Sequence, residues 1–170
     1  MNIKTNITMR YSTHLPVLLE VMKRTNGDVL ELGPGIFSTP VLHWLCETQK
    51  RNLLTIEDNK VWFQFCSQCF QTEYHKHLQV DNWNDAKNSI SKNWDVVLVD
   101  HSPQERRVEE IAILAPFAKY IVVHDADSKR DSNNHLSTIR PLFKYYWIFE
   151  GVTPQTAVYS NFVDLKDFHV

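Results

Sequence analysis

Short apolar runs alternate with longer amphipathic segments along almost the whole chain, and this alternation constrains the fold more than any other feature. Seven runs are predicted as strands, at 28–32, 52–57, 77–81, 94–100, 120–125, 145–149 and 156–163. Several are rich in β-branched residues and end in an acidic residue, which is typical of central strands in a parallel sheet covered by helices. Helices are predicted between them, at 13–24, 38–49, 60–74, 82–92, 104–119 and 134–144. The pattern predicts an α/β fold with a doubly wound sheet.

The last two predicted strands are joined differently from the others. Only the sequence EGVTPQ (150–155) separates them, which is too short for a crossover helix, so the seventh strand should run antiparallel to the sixth. Right-handed crossovers place the loops after the parallel strands at one edge of the sheet, where ligands bind. No repeat or linker divides the 170 residues. We therefore expect one domain over 1–170, with 1–12 as an N-terminal arm.

The charge and cysteine content narrow the range of partners and locations. A net charge of −2 does not supply the positive surface that nucleic acid or an anionic membrane requires. No run approaches the roughly 20 apolar residues of a membrane span, and the N-terminus lacks the apolar core of a secretory signal. Three cysteines suit free thiols in a reducing compartment. We expect a cytoplasmic protein without a nucleic-acid or membrane partner, and the sequence indicates no particular oligomeric state.

A possible zinc site lies in the segment 66–77. Cys66, Cys69, His75 and His77 could supply four ligands. The interval between the second cysteine and the histidines is shorter than in the usual zinc patterns, and the segment reads as a helix. We favour the interpretation that the two cysteines are small apolar residues on one helical face.

The stretch GDVLELGPGIFSTP (27–40) holds three of the four glycines of the chain. Gly33 and Gly35 fall in the turn between the first predicted strand and the helix that follows it. Glycine there can adopt a positive φ and exposes backbone N–H groups, so a ligand can approach without meeting a Cβ atom. The turn is a candidate binding site, although a strand-to-helix turn can require glycine for purely structural reasons.

Acidic residues follow the next two predicted strands at the same edge of the sheet. Glu57 ends the second strand, where a carboxylate can accept hydrogen bonds from both hydroxyls of a ribose. Asp81 follows the third strand with Asn82 and Trp83, which could bind the amino group of adenine and stack on its ring. Together with the glycine turn, these residues predict a ligand that contains a nucleoside.

This arrangement resembles the class I S-adenosylmethionine-dependent methyltransferases, from residue 13 to the end of the chain. The resemblance rests on E-x-G-x-G after strand one, on acids after strands two and three, and on the final hairpin. It implies the strand order 3-2-1-4-5-7-6, S-adenosylmethionine as cofactor, and methyl transfer to an oxygen, less readily a nitrogen, of a small-molecule acceptor. It also implies roles for cofactor-binding residues: Glu31, Gly33 and Gly35 near the methionine and ribose, Glu57 on the ribose hydroxyls, and Asp81 and Asn82 near adenine.

Two alternatives to a methyltransferase stay open. A nicotinamide-dependent oxidoreductase uses a related fold, but the third glycine of its fingerprint is missing and the chain is too short for a separate substrate domain. The other alternative is a non-catalytic module that retains a nucleoside pocket as a sensor or interaction domain.

Strands four and five end in residues that could carry the chemistry. Asp100 and His101 follow strand four, and His124, Asp125 and Asp127 follow strand five. The pattern is similar to the cation-dependent O-methyltransferases of the catechol type, whose strand four also ends in Asp-His. That similarity implies Mg²⁺ held by Asp100, Asp125 and Asp127, where the ion would lower the pKa of an acceptor hydroxyl.

The chain departs from the catechol-type pattern at several positions. Ala126 stands where that family has an asparagine ligand, and Ser102 and Pro103 replace its tryptophan and catalytic lysine. Without a metal, His101 or His124 could act as the general base. Asp100 stands where methyltransferases line the boundary between cofactor and substrate, so we assign it to both roles. The sequence DHSP lacks the second proline and the aromatic residue of the amino-group methyltransferases that act on DNA or protein.

Overall fold

Seven strands form one sheet in the computed structural model, which describes residues 8–170. They are β1 (Val29–Leu32), β2 (Leu53–Glu57), β3 (His75–Gln79), β4 (Trp94–Val99), β5 (Ala118–His124), β6 (Tyr145–Phe149) and β7 (Thr156–Ser160). The order across the sheet is β3-β2-β1-β4-β5-β7-β6. Strands β1 to β5 are parallel, and β7 is antiparallel to both of its neighbours. The predicted fold class, strand order and antiparallel last strand are confirmed.

Helices connect the strands on both sides of the sheet. They are α1 (Leu15–Lys23), α2 (Ser38–Gln49), α3 (Lys60–Phe70), α4 (Lys87–Ile90), α5 (Arg107–Leu114), α6 (Asp131–Asn134) and α7 (Leu136–Ile139). Short 3-10 turns precede or follow several of them, at Met9–Ser12, Trp83–Ala86, Gln104–Arg106, Ser128–Arg130 and Arg140–Leu142. None of the helices within residues 8–170 has the length and apolar character needed to cross a membrane. Residues 1–7 of the predicted N-terminal arm lie outside the described residues.

The predicted boundaries differ from the structure mainly in the second half of the chain. The helix expected at 134–144 is two short helices and a 3-10 turn, because His135 adopts a left-handed φ of 53° that interrupts the helix. The helix expected at 104–119 ends at Leu114, since β5 begins at Ala118. Strand β3 lies two residues earlier than predicted. The alternation of elements was predictable, whereas the points where they end depend on local turns.

The core lies on both faces of the sheet. Successive side chains of a strand point to opposite faces, so in β4 Val96 and Leu98 pack in one cluster while Val97 and Val99 pack in the other. The first cluster contains the buried face of α1, including Leu18. The second contains the apolar side of α5 and α7. Helices on both faces explain why β4 is apolar along nearly its whole length.

The turn after β1 approaches the end of β4 very closely. Gly33 has a φ of +86°, and a Cβ atom on it would lie 2.5 Å from the backbone N and Cα of His101. Its N–H donates to the carbonyl of Ile56 at 3.0 Å. A Cβ atom on Gly35 would meet only the hydroxyl of Ser38, at 3.4 Å. Gly33 is therefore required by geometry, whereas Gly35 has room for a methyl group.

We predict that Gly33→Ala destabilises the protein by about 2–4 kcal/mol, because the methyl group meets backbone atoms and the residue is held at a positive φ. The matched variant Gly35→Ala should change the free energy of unfolding by less than about 1 kcal/mol. Urea unfolding of the two variants and the wild type measures both effects. Equal stability of Gly33→Ala and Gly35→Ala would contradict the close contact between Gly33 and His101.

Candidate functional site

A cleft of about 1120 Å³ opens at the carboxyl ends of β1, β2, β4 and β5. Its lining comes from the glycine turn after β1, from 57–59 after β2, from 100–104 after β4 and from His124 and Asp125 after β5. Tyr11 and His14 close it on the side of α1. The strand order reverses between β1 and β4, and open α/β sheets bind ligands at such a point. The cleft is large enough for a nucleoside and a second small molecule.

Glu31 stabilises the glycine turn from behind. Its carboxylate is fully buried on β1 and accepts hydrogen bonds from the hydroxyls of Thr39, at 3.0 Å, and Thr55, at 2.8 Å. The Thr39 hydroxyl in turn accepts the N–H of Gly35 at 2.9 Å. Burial raises the pKa of Glu31 to about 7. Glu31 thus acts on the cleft through Thr39 and Gly35, and its own side chain is not part of the cleft surface.

Glu57 lies beside the glycine turn at the end of β2. It is almost fully buried, lines the cleft and accepts the backbone N–H of Asn59 at 2.7 Å. Burial raises its pKa. Asn59 also caps α3, with its side-chain oxygen accepting the N–H groups of Val61 and Trp62. This local geometry holds the carboxyl group of Glu57 at the rim of the cleft, on the same side as Gly33.

Asp100 and His124 form a hydrogen-bonded pair at the other end of the cleft. The Nδ1 atom of His124 lies 3.1 and 3.2 Å from the two carboxylate oxygens of Asp100. Its Nε2 atom lies 3.0 Å from the hydroxyl of Thr13. Burial alone would raise the pKa of Asp100, but the charges of His124 and Arg107 outweigh it and lower the pKa to about 2. Asp100 is therefore ionised at neutral pH.

Arg107 holds the ends of β4 and β5 together from beneath this pair. Its side chain is buried and donates to the backbone carbonyls of His101, at 2.7 Å, and His124, at 3.0 Å. It also donates to Asp100 at 3.1 Å. Because these partners already occupy the guanidinium, Arg107 is a structural residue here.

His14 is a cleft residue that the sequence analysis missed. It precedes α1, is only 1% exposed, and neither of its ring nitrogens has a hydrogen-bond partner. Its ring packs edge-on against that of His124, with centroids 4.8 Å apart. Burial lowers the pKa of His14 to about 4, so the imidazole is neutral at pH 7. No pattern pointed to it, because His14 precedes the first strand and lies outside the loops at the sheet edge.

Solved structures with the same architecture are found among methyltransferases. Cofactor-bound Rv0187 from MTB is 16% identical, with 93% of this chain and 83% of that chain covered and a TM-score of 0.67. The SAH-bound methyltransferase PaMTH1 of Podospora anserina is 10% identical, with coverages of 91% and 79% and a TM-score of 0.65. Human methyltransferase-like protein 13 in complex with SAH is 12% identical, with coverages of 86% and 81% and a TM-score of 0.61.

The chain has the class I methyltransferase fold. At identities of 10% to 16% the likeness concerns the fold alone. No family model matches the sequence, and no curated protein is significantly similar to it. The resemblance to class I methyltransferases implied the strand order 3-2-1-4-5-7-6, and the sheet has this order.

Within the methyltransferase fold, the predicted magnesium site is not assembled. Asp125 pairs with Arg130 at 3.1 Å and with Arg107 at 3.5 Å. Asp127 pairs with Arg130 at 3.4 Å and accepts the backbone N–H of Gln155. Since arginines already neutralise Asp125 and Asp127, these two acids do not present the free oxygen ligands that Mg²⁺ needs. The prediction of Mg²⁺ at Asp100, Asp125 and Asp127 is corrected accordingly.

His101 does not have the position expected of a general base. Its ring is buried, its Nε2 atom lies 3.2 Å from Glu110 on α5, and it stacks on Trp83 with centroids 4.0 Å apart. Only its backbone borders the turn at Gly33. The physical reason is that successive residues at a strand end point to opposite sides, so Asp100 faces the cleft and His101 faces α5. Both histidines predicted as bases line the cleft, but the ring of His101 is held by Glu110 and Trp83, whereas the ring of His124 pairs with Asp100.

The residues predicted to lie near adenine are found outside the lining of the cleft. Asp81 and Asn82 are exposed and outside the cleft lining, and the Asn82 side chain caps the 3-10 turn that follows it. The Trp83 ring is buried, with its N–H donating to the carbonyl of Ser102 at 3.0 Å, so it cannot stack on a base as proposed from the sequence. The roles of Asp81 and Asn82 stay predictions.

Within residues 8–170, the free cysteines Cys66 and Cys69 are not among the side chains that lie close enough together to hold a metal ion. Cys66 is buried and Cys69 is exposed. Across residues 8–170, the group of side chains close enough to hold an ion is His14, Asp100 and His124. Both cysteines lie on α3, and the buried Cys66 fits the interpretation as a small apolar residue, whereas the exposed Cys69 does not.

We predict that Glu31 makes stability depend on pH. Burial raises its pKa from 4.5 to about 7 in the folded protein, so between these values the folded state binds more protons than the unfolded chain. The free energy of unfolding should therefore fall as pH rises from about 4.5 to about 7, and this contribution should level off above that. Glu31→Gln cannot ionise and should lack this share of the decline, whereas the share from Glu57, whose pKa burial also raises, is the same in both proteins.

Urea unfolding between pH 5 and pH 8 tests this prediction. The difference in unfolding free energy between wild type and Glu31→Gln should decrease with rising pH. Glu73→Gln, at an exposed position, serves as the control and should follow the wild type. A difference between wild type and Glu31→Gln that does not vary with pH would contradict the prediction.

Proposed function

We propose that this protein is an S-adenosylmethionine-dependent methyltransferase that methylates an oxygen, less readily a nitrogen, of a small-molecule acceptor. The observation that carries the proposal is the division of one cleft into two chemically different ends. Gly33, Gly35 and Glu57 form one end, and Asp100 with His124 forms the other. The solved structures with SAH or cofactor bound share the fold and support the choice of ligand.

The nucleoside end of the cleft has the features that this cofactor requires. A side chain on Gly33 would meet the backbone of His101, so the turn can pack this closely on β4 only with glycine, and Gly33 and Gly35 both line the cleft. Glu57 offers carboxyl oxygens beside the turn, where they can accept hydrogen bonds from ribose hydroxyls. Glu31, through Thr39, fixes the orientation of Gly35. We assign Gly33, Gly35 and Glu57 to binding and Glu31 to positioning.

S-adenosylmethionine supplies a methyl group on a positively charged sulfur that a nucleophile can attack in line. The residues at the other end of the cleft would orient and activate that nucleophile. Asp100 carries a negative charge at the boundary between the two ends, where it favours a cationic neighbour. It also fixes the His124 ring and would stabilise the imidazolium that forms when His124 accepts the proton of the acceptor hydroxyl. Enclosure by His14 and Tyr11 would exclude water from this end.

A second candidate is a non-catalytic module that binds the same nucleoside. It is favoured by one observation: Ser102 and Pro103 occupy the positions of the tryptophan and the catalytic lysine in the catechol-type enzymes. On this view the cleft binds ligand but His124 transfers no proton. The two candidates agree on cofactor binding and differ on turnover.

We predict that the protein binds S-adenosylhomocysteine, and that Glu57→Ala weakens this binding by about 30-fold or more, because two hydrogen bonds to a carboxylate are lost. Isothermal titration calorimetry measures the affinities. Glu73→Ala, at an exposed position, should bind as the wild type does, and NAD should bind much more weakly. Asp81→Ala in the same series tests whether Asp81 contacts adenine. Failure of the folded wild type to bind would refute the proposed function.

We predict that His124→Gln and Asp100→Asn lower methyl transfer by about 100-fold or more, because the proton acceptor or its orienting carboxylate is removed. Transfer from methyl-labelled S-adenosylmethionine to a panel of catechols, phenols, carboxylates and amines measures it. His101→Gln should retain activity, provided that the variant is folded, since its ring faces α5. Binding of S-adenosylhomocysteine without transfer to any member of the panel would favour the non-catalytic module.

A further inference from the structure

Three side chains at the α1 side of the cleft lie close enough to share one ion. His14, Asp100 and His124 each offer a ligand atom, and these atoms are all within 4.8 Å of one another. The Oδ2 atom of Asp100 and the Nδ1 atom of His124 are 3.2 Å apart. Ligands of a tetrahedral ion, with bonds of about 2.0–2.2 Å, lie roughly 3.4 Å apart. One pair is therefore already at ligand spacing, and the ring of His14 would need to close by at most about 1.4 Å.

The ring of His14 gives an independent indication of a ligand. It is 1% exposed, borders the cleft, and has no hydrogen-bond partner on either nitrogen. Buried polar groups in folded proteins nearly always have a partner, and a neutral imidazole nitrogen is a common ligand of metal ions. Its ring packs on His124 with a centroid distance of 4.8 Å, which directs it toward the other two ligands.

The remaining contacts of Asp100 and His124 leave the ligand atoms available. The Nε2 atom of His124 lies 3.0 Å from the hydroxyl of Thr13, and a metal-bound histidine commonly uses its second nitrogen for such a hydrogen bond. Arg107 donates to Oδ1 of Asp100, so Oδ2 is not occupied by an arginine. The charge of Arg107 opposes a nearby cation, and Asp125, 3.5 Å away, offsets part of that charge.

We propose that His14, Asp100 and His124 bind a divalent first-row transition metal ion, such as Zn²⁺. Two imidazoles and one carboxylate favour these ions over Mg²⁺, which prefers oxygen ligands. The ligand set differs from the acidic set predicted from the sequence and shares only Asp100 with it. Three protein ligands leave a coordination position open toward the cleft. With the ion bound, His124 is a ligand and not the proton acceptor, and the ion would instead lower the pKa of an acceptor hydroxyl bound at this position. Only this consequence rests on the proposed function.

Metal binding can be measured without a methyl donor. The 170-residue protein, treated with a chelator and dialysed, is titrated with Zn²⁺ in a calorimeter and with Co²⁺ by visible absorption. We expect one equivalent to bind, with Co²⁺ absorption bands typical of nitrogen and oxygen ligands at low coordination number. His14→Phe, which keeps a ring but has no nitrogen, should weaken binding by more than about 100-fold, and Thr13→Val by about 10- to 100-fold. His169→Ala, at an exposed position, is the matched control and should bind normally.

A second pair of neighbouring histidines provides a variant that distinguishes the proposed metal site from another possible one. His43 on α2 and His75 on β3 have their Nδ1 atoms 3.1 Å apart. If His75→Ala abolishes binding while His14→Phe retains it, the ion belongs to that pair and the proposal is overturned. Absence of Zn²⁺ and Co²⁺ binding to the wild type at millimolar concentrations overturns it as well.

Circular dichroism verifies that each variant is folded. If His14→Phe does not fold, His14→Gln replaces it, with the same loss of affinity expected. Binding of S-adenosylhomocysteine is measured separately on the same protein. Failure of metal binding therefore leaves the proposed methyltransferase function intact, and failure of that function leaves metal binding intact.

Discussion

The close contact between the turn after β1 and the end of β4 is the constraint on which the cleft depends. Gly33 reaches the backbone of His101 only because it has no side chain and adopts a positive φ. These two strands are adjacent where the order of the sheet reverses, so their loops diverge and leave a crevice between them. Glu57 on one side and Asp100 on the other then face the same space. A bulkier turn would separate β1 from β4 at this edge and alter both ends of the cleft together.

A buried arginine gives the second end of the cleft its rigidity. Arg107 donates to the carbonyls that end β4 and β5 and to the carboxylate of Asp100. A buried charge is costly unless it is fully paired, and here the backbone and the carboxylate provide that pairing. The consequence for His124 is that its backbone carbonyl and its partner Asp100 are both held by the same guanidinium. An orientation fixed in this way reduces the reorganisation needed when a proton moves.

The order of the sheet was predictable from the sequence, and so was the position of the cleft at the carboxyl ends of the strands. The alternation of apolar runs and the six-residue connection before β7 determine strand order and direction, because they leave few topologies open. Glu57 and Gly33 were expected at one edge because the ends of parallel strands meet there, and both line the cleft, while their binding roles stay predictions. His101 was assigned wrongly, since adjacent residues at a strand end face opposite sides. His14 and the pairing of Asp125 with Arg130 were not predictable, because such contacts depend on side-chain packing between distant segments rather than on sequence spacing.

The hydrogen bond between Thr13 and His124 joins positions 111 residues apart and makes the start of α1 part of the cleft wall. By thermodynamic linkage, a molecule that binds only the complete cleft also favours the docked position of this helix. Local opening of the segment and release of the ligand are then coupled events. The amide protons at the amino end of α1 therefore report on occupancy of a site that is otherwise formed by strand ends much later in the chain.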